Sequence, residues 1–149
     1  MKLEDEIVQK KFQSEYHKLS VNITFTHHWL VRFRQDIFKP VDITMQQFNI
    51  LRILRGQYPN PASVNLLKER MIDKMSDASR LVERLRQKGL VVRKQCSEDR
   101  RAVDVLITDK GLKLLKEMDK ESKQVEKLLS KLSETEAKKL NDLLDKLRG

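Results

Sequence analysis

Apolar residues recur at helical spacing along most of this chain. From about residue 5 to residue 38 they fall three, four or seven positions apart, which predicts one long helix. Lys39 precedes a proline and ends that helix, because a residue before proline disfavours helical backbone. Three shorter helices are predicted next: one from the capping-box pattern at 44–47 to Gly56, one from near Ser63, and one over about 75–88 that Gly89 closes in left-handed backbone.

The spacing changes to alternation between residues 90 and 108. LVVRKQ at 90–95 and AVDVLIT at 102–108 are short β-branched runs with a charged connection between them, a pattern that predicts a β-hairpin. Helical spacing returns from Asp109 to about Ser130. A second capping box at 133–136 then opens a last helix with the apolar positions Leu140, Leu143, Leu144 and Leu147.

This order of elements predicts a mainly α fold with a small β-hairpin wing. Three helices followed by a hairpin are the minimum of a winged helix-turn-helix, here flanked by long outer helices. The long outer helices are too apolar along one stripe to be stable alone. A second copy of the chain would cover them.

Charge narrows the class of partner. The chain has 31 Lys and Arg against 22 Asp and Glu, a net charge of +9, which favours a polyanion such as nucleic acid. Charge alone also allows an acidic membrane surface or an acidic protein, so a basic helical adaptor with a purely structural hairpin is the rival hypothesis. Its test is whether the chain retains its own upstream DNA specifically.

Several function classes find no support in the sequence. The chain has no Gly-rich phosphate loop, no G-x-S-x-G elbow and no H-E-x-x-H, so neither an enzyme activity nor a cofactor is expected. One cysteine cannot form an intrachain disulfide, and no apolar run reaches membrane-spanning length. A cytoplasmic protein without a membrane role is expected.

The fourth predicted helix has the composition of a DNA-reading helix. Ala78, Leu81, Val82 and Leu85 form a core-facing stripe. The opposite face carries Ser76, Ser79, Arg80, Glu83 and Gln87. Small hydroxyl residues let a helix enter the major groove, and arginine can bond guanine through two hydrogen bonds. The same residues also suit an ordinary surface helix, and the neighbouring basic hairpin favours the DNA hypothesis.

The hairpin connection is rich in arginine. Arg93 and Lys94 precede it, and Arg100 and Arg101 close it. An arginine at a protruding tip can enter a narrow minor groove. Asp99 is expected to hold one guanidinium by a charge-assisted hydrogen bond.

Two stretches carry a resemblance to a known family. LVERLRQKGLVVR at 81–93 and EDRRAVDVLITDKG at 98–111, with LSETEAKKLNDLLDKLR near the end, resemble the recognition helix, wing and last helix of MarR/SlyA transcriptional regulators. The resemblance implies a homodimer on double-stranded DNA, acting as a repressor at a pseudo-palindromic operator. It implies dimerisation helices at 1–38 and 109–149 around a DNA-binding domain at 39–108.

The resemblance also implies individual contacts. Ser76, Asp77, Ser79 and Arg80 would face the major groove, and Arg101, with Arg100 nearby, would be the wing contact. The chain departs from the family where many members have an apolar residue and a serine, because it has Asp73 and Lys74 there. Lys74 is therefore a candidate for phosphate contact instead of helix capping.

Two further candidate sites follow. Members of the family bind small aromatic or anionic ligands in a cleft, for which the candidates here are His27, His28, Trp29, Phe33 and Phe48; the aromatic residues equally suit a buried core. Cys96 is either an oxidant-sensing thiolate beside basic residues or an incidental exposed thiol. No metal site is expected, since the adjacent histidines diverge on a helix.

Overall fold

A computed structural model describes residues 1–95 and 103–149. In chain order the elements are α1 Leu3–Glu6, α2 Glu15–Phe38, a 3-10 turn Lys39–Val41, α3 Met45–Gln57, β1 Ala62–Ser63, α4 Val64–Arg70, α5 Ala78–Gln87, β2 Val91–Gln95, β3 Val103–Ile107, α6 Asp109–Leu129 and α7 Glu134–Arg148. The mainly helical fold with a small sheet is confirmed. The chain divides into two compact units, Met1–Met45 and Gln46–Gly149.

The predicted first helix is wrong at its N-terminal end. Residues 3–38 form two helices instead of one, and the break between them includes Val8, whose φ of 53° lies outside helical backbone. The Ser14 hydroxyl accepts a hydrogen bond from the His17 N–H at 3.1 Å and begins α2. The spacing of apolar residues does not reveal a capping residue such as Ser14. For this reason the sequence alone predicts one continuous helix here.

The predicted hairpin is confirmed, and a third strand joins it. β2 and β3 are antiparallel, with Val91 opposite Ile107. β1 pairs with the other edge of β3, so that the order is β1-β3-β2. Two residues are too few for an alternating pattern, which is why β1 was not predicted. Its Ser63 also accepts a hydrogen bond from the Leu66 N–H at 3.1 Å and begins α4, where a helix was expected.

The core of the second unit joins its helices to the sheet. Helix α5 packs against α4 and β2, and α4 also packs against β3. The predicted inward stripe of α5 is confirmed, because Ala78, Val82 and Leu85 are buried and Leu81 is half-buried. The largest fully buried side chains come from six elements and from the residue after α4: Ile50, Leu51, Leu54, Leu67, Met71, Val82, Leu85, Val91, Val105 and Leu115.

Helix α5 ends in the glycine cap that the sequence predicts. Gly89 has a φ of 71°, and its N–H donates to the carbonyl of Arg86 at 2.9 Å. The Leu90 N–H donates to the carbonyl of Leu85 at 3.0 Å. This pair of bonds is a Schellman motif, which turns the chain sharply from α5 into β2.

Thr108 connects this turn to α6. Its N–H donates to the Leu90 carbonyl at 3.1 Å, and its hydroxyl donates to the Gly89 carbonyl at 2.8 Å. The same hydroxyl accepts from the Gly111 N–H at 3.1 Å and caps α6. Farther along α6, Asp119 accepts from Arg55 of α3, with Nη1 at 3.0 and 2.9 Å from the two carboxylate oxygens.

Gly111 permits the close approach of α6 to Leu90 and to the end of β3. A Cβ at this position would meet the Leu90 carbonyl oxygen and lie 2.7 Å from Cγ1 of Ile107. Gly56, within α3, has nothing within 4 Å of the corresponding position. An alanine at position 111 would therefore be too close to neighbouring atoms, whereas an alanine at position 56 would meet open space.

We expect Gly111→Ala to lower the free energy of unfolding by about 1–3 kcal/mol, because the backbone carbonyl cannot yield as a flexible side chain does. Urea denaturation followed by circular dichroism measures this. Gly56→Ala is the matched control, and we expect it to stabilise the protein by roughly 0.5–1 kcal/mol, since alanine is the better helix former. Equal effects of the two variants would contradict the close approach at Gly111.

Candidate DNA-binding surface

The candidate recognition helix begins later than predicted. The sequence predicts a start at about Met75, whereas α5 begins at Ala78 with Asp77 as its N-cap, accepting from the Arg80 N–H at 3.0 Å. Before it, the Asp73 carboxylate accepts from the Met75 N–H at 3.0 Å and the Ser76 hydroxyl at 2.7 Å. Short acidic side chains offer the backbone these local bonds in place of a helical turn.

These bonds engage Ser76 and Asp77, two of the four residues that were expected to face the major groove. Ser79 and Arg80 are exposed, in agreement with the expected polar face of α5. Ser76 is half-buried and its hydroxyl donates to Asp73, and Asp77 caps the helix. The Ser76 and Asp73 contact lowers the pKa of the Asp73 carboxyl, with the Met75 N–H as the next cause. DNA contact by each of these residues stays a prediction.

Lys74 lies against the end of the preceding helix. Its ammonium donates to the carbonyl of Glu69 in α4, and the residue is exposed. A cation at a helix C-terminus is favourable because the last carbonyls carry partial negative charge. Phosphate contact by Lys74 therefore requires this side chain to leave or share that carbonyl.

A carboxylate on α5 holds two arginines. Glu83 accepts from Arg86 at 2.8 Å and from Arg93 of β2 at 3.4 Å, which links the helix to the first wing strand. Hydrogen bonds from Arg86 are the largest cause that lowers the pKa of Glu83 to about 2, with smaller contributions from Arg93. The spacing of Glu83 and Arg86 on one helix could have indicated their pairing. The contact with Arg93 depends on how the strand packs.

The wing residues fall partly within the described chain. Arg93 is paired with Glu83, and Lys94 is exposed in β2 opposite Asp104 of β3. Because Glu83 is itself partly exposed, the ion pair is screened by water, and phosphate contact by Arg93 stays a prediction. The predicted contacts at Asp99, Arg100 and Arg101, and the thiol of Cys96, lie outside the described residues.

The candidate ligand residues lie in both units. His27 and His28 are exposed on α2, with ring centroids 5.4 Å apart, and Trp29 and Phe33 are half-buried one turn apart on the same helix. Phe48 belongs to α3, where the Arg52 guanidinium lies 5.9 Å from its ring centroid. The two aromatic residues of α2 share a face, and the adjacent histidines diverge. A ligand cleft formed by the five residues stays a prediction.

The described part of the chain has neither a cluster of metal ligands nor a membrane-spanning helix. Across residues 1–95 and 103–149, no group of three or more His, Cys, Asp and Glu side chains could hold a metal ion. Within the same residues, no helix is long and apolar enough to cross a membrane.

Comparison with known proteins identifies the family. Residues 43–103 match the model of the MarR family. A MarR transcription factor from Planctomyces limnophilus is 31% identical, with 91% of this chain and 98% of that chain covered and a TM-score of 0.69. The chain belongs to the MarR family. It is therefore a transcriptional regulator with a winged helix, and MarR-family regulators are DNA-binding proteins, not enzymes.

Two other relatives extend the similarity. The HTH-type transcriptional regulator MgrA of Staphylococcus aureus is 29% identical over 139 residues, which cover 90% of this MarR-family chain and 92% of MgrA. The structure of a complex of S. aureus MepR with DNA has a TM-score of 0.76 at 22% identity, with 92% and 97% of the two chains covered. The second likeness concerns the fold alone.

We expect the Glu83 carboxylate to remain ionised near pH 3.5, where an ordinary glutamate is mostly protonated. Because the folded-state pKa is lowered, the ion pairs stabilise the protein above the ordinary value of 4.5 and this contribution is lost as the pH falls toward about 2. Carboxyl-carbon NMR titration measures the pKa.

The two arginines provide matched variants for this titration. Arg86→Gln should raise the pKa of Glu83 more than Arg93→Gln does, because Arg86 is the larger cause. A Glu83 that titrates at its ordinary value in the unaltered protein would rule out the ion-pair network.

Proposed function

We propose that this MarR-family chain is a homodimeric repressor that binds a pseudo-palindromic operator. One observation carries the proposal: the exposed Ser79 and Arg80 of α5 lie on a helix that packs against the first strand of a basic wing. In a helix-turn-helix protein, that helix enters the major groove with its N-terminal residues toward the base edges. The fold shared with MepR, whose structure has been determined in complex with DNA, supports DNA binding by this chain.

The proposal assigns different tasks to different residues. Arg80 and Ser79, with Ser76 and Asp77 at the helix start, would contribute base or backbone contacts in the major groove. Lys74, Arg93 and Lys94 would contact phosphates, which supply affinity without sequence information. Arg100 and Arg101, with Asp99 beside them, would bring the wing to the minor groove. Half-sites about one helical turn apart would match two-fold symmetry.

The homodimer is supported by uncovered leucines. No residue of α7 is buried, and Leu140, Leu143 and Leu147 are about half exposed on one stripe of that helix. Helix α2 likewise exposes Leu19 and Ile23. Such stripes are stable when another chain covers them. We therefore assign dimerisation to 1–38 and 109–149, and DNA binding to 39–108.

We also propose that a small ligand controls DNA binding. A small aromatic or anionic molecule that binds the predicted ligand residues would weaken DNA binding by favouring a dimer with wrongly spaced recognition helices. Such a shift requires different affinities for the two states of the dimer. The half-buried aromatic pair on α2 supports this site.

We expect Arg80→Ala to weaken operator binding by roughly 5- to 150-fold, corresponding to about 1–3 kcal/mol, and to relax base preference. Arg101→Ala should weaken binding strongly while the dimer stays folded, because the wing contact that the family resemblance implies is lost. Electrophoretic mobility shift with the upstream DNA of the chain's own gene measures both, in parallel with an unrelated duplex of equal length.

The control for these variants is Arg148→Ala, which removes the same charge from the end of α7, where the arginine pairs with Asp145. It should retain operator affinity. Unchanged affinity of Arg80→Ala and Arg101→Ala would contradict both assignments. Equal retention of every duplex would mean that the net charge of +9 attracts phosphate without a specific target.

We expect the unaltered protein to sediment at twice the 17.6 kDa of one chain and Leu143→Glu to raise the dimer dissociation constant by roughly 100-fold or more, since two buried leucines are lost per symmetric interface. Asn141→Glu adds the same charge to α7 away from the leucine stripe and should leave the dimer intact. A monomeric unaltered protein, or equal effects of the two variants, would rule out this interface.

A further inference from the structure

Two apolar side chains are exposed in the turn between α4 and α5. Met75 is 94% exposed and Ile72 is 83% exposed, whereas Met71, one residue earlier, is buried. Isolated apolar residues on a surface are ordinary. These two are set apart by lying within four residues of each other, directly before the candidate recognition helix.

The backbone beneath both side chains is fixed by hydrogen bonds. The Met75 N–H donates to Asp73 Oδ1 at 3.0 Å, and the Ile72 N–H donates to Asn49 Oδ1 of α3 at 2.9 Å. The Ser76 hydroxyl holds the other oxygen of Asp73 at 2.7 Å. Side-chain oxygens thus accept from the backbone N–H of both apolar residues. The exposure of Met75 follows from this geometry.

Helical continuation would have given Met75 a different environment. Met75 precedes Ala78 by three residues, so a helix that began at Met75 would carry it on the buried stripe with Ala78 and Val82. The Asp73 turn and the Asp77 cap delay the helix and leave the methionine in solvent. The helical periodicity of the sequence alone would therefore place Met75 among the core positions.

We propose that Met75 reads thymine in the major groove through the C5-methyl group, with Ile72 as a second apolar contact. The proposal deepens the DNA-binding function above and rests on it. Residues at the start of a recognition helix approach the base edges, and the thymine methyl is the apolar group displayed there. A thioether side chain is long and unbranched, so it can follow the methyl surface.

The test removes one methyl group at a time from the DNA. The probe is the duplex that the full-length protein selects from a random pool, with each thymine replaced in turn by deoxyuridine, which lacks only the C5-methyl. For the unaltered protein we expect a loss of roughly fourfold in affinity at one or two thymines of each half-site, the factor given by burial of one methyl group.

The protein variants complete a double-mutant cycle with the DNA. Met75→Ala should bind the thymine duplex more weakly by a similar factor and should be indifferent to deoxyuridine at those positions. Met75→Leu should retain the sensitivity to deoxyuridine, because it keeps an apolar side chain. Val8→Ala removes an equally exposed apolar side chain from the first unit and is the control that should behave as the unaltered protein.

The outcomes separate this proposal from the function on which it rests. Specific binding with no loss at any deoxyuridine overturns the role of Met75 and leaves the regulator intact. An unchanged deoxyuridine response in Met75→Ala also overturns it, because another residue then contacts the methyl. If the full-length protein selects no sequence at all, the proposed operator recognition fails and the thymine contact fails with it.

Discussion

Thr108 joins the end of α5, the start of β2 and the start of α6 within the second unit. Its hydroxyl donates to the carbonyl of Gly89 and accepts from the N–H of Gly111, so one oxygen joins the end of α5 to the start of α6. The Thr108 N–H adds a bond to Leu90 at the start of β2. These three hydrogen bonds join three elements at one residue. The direction of α5, the first wing strand and the long helix α6 are consequently fixed at one point.

Acidic side chains on α5 and just before it accept hydrogen bonds from backbone N–H groups and from arginines. Asp73 and Asp77 accept hydrogen bonds from main-chain N–H groups, and Glu83 accepts from Arg86 and Arg93. A free carboxylate would repel phosphate, whereas one that is hydrogen-bonded or ion-paired has its charge partly balanced. A surface that must attract DNA can therefore contain acidic residues, provided that they are engaged in such contacts.

The fold was predictable where one physical signal dominated. The hairpin, the Gly89 cap and the helix starts at Ser63, Thr108 and Ser133 follow from local chemistry that is legible in the sequence. Two errors, the continuous first helix and the early start of α5, arose where a polar side chain competed with helical spacing. Strand β1 depends on tertiary pairing with β3 and has no pattern of its own.

The candidate site was predictable in part, for the same reason. The outward position of Ser79 and Arg80 follows from helical geometry alone. The pairing of Glu83 with Arg93 joins a helix to a strand, and the exposure of Met75 depends on the Asp73 turn. Both require knowledge of the packed structure. Contacts between this surface and DNA involve a second molecule, about which the sequence of one chain indicates chemistry more than geometry.

Helix α6 acts as a lever with two polar supports, in addition to its buried side chains Leu115 and Met118. Its first support is Thr108, and its second is the ion pair between Asp119 and Arg55, about 15 Å farther along the helix axis. Leu129 lies about 30 Å from the first support, so a 1 Å displacement at Asp119 becomes about 2 Å at the far end. The second support is a partly exposed ion pair and yields more readily than the first. The ion pair of Arg55 with Asp119 thus contributes to the angle between α5 and the far end of α6.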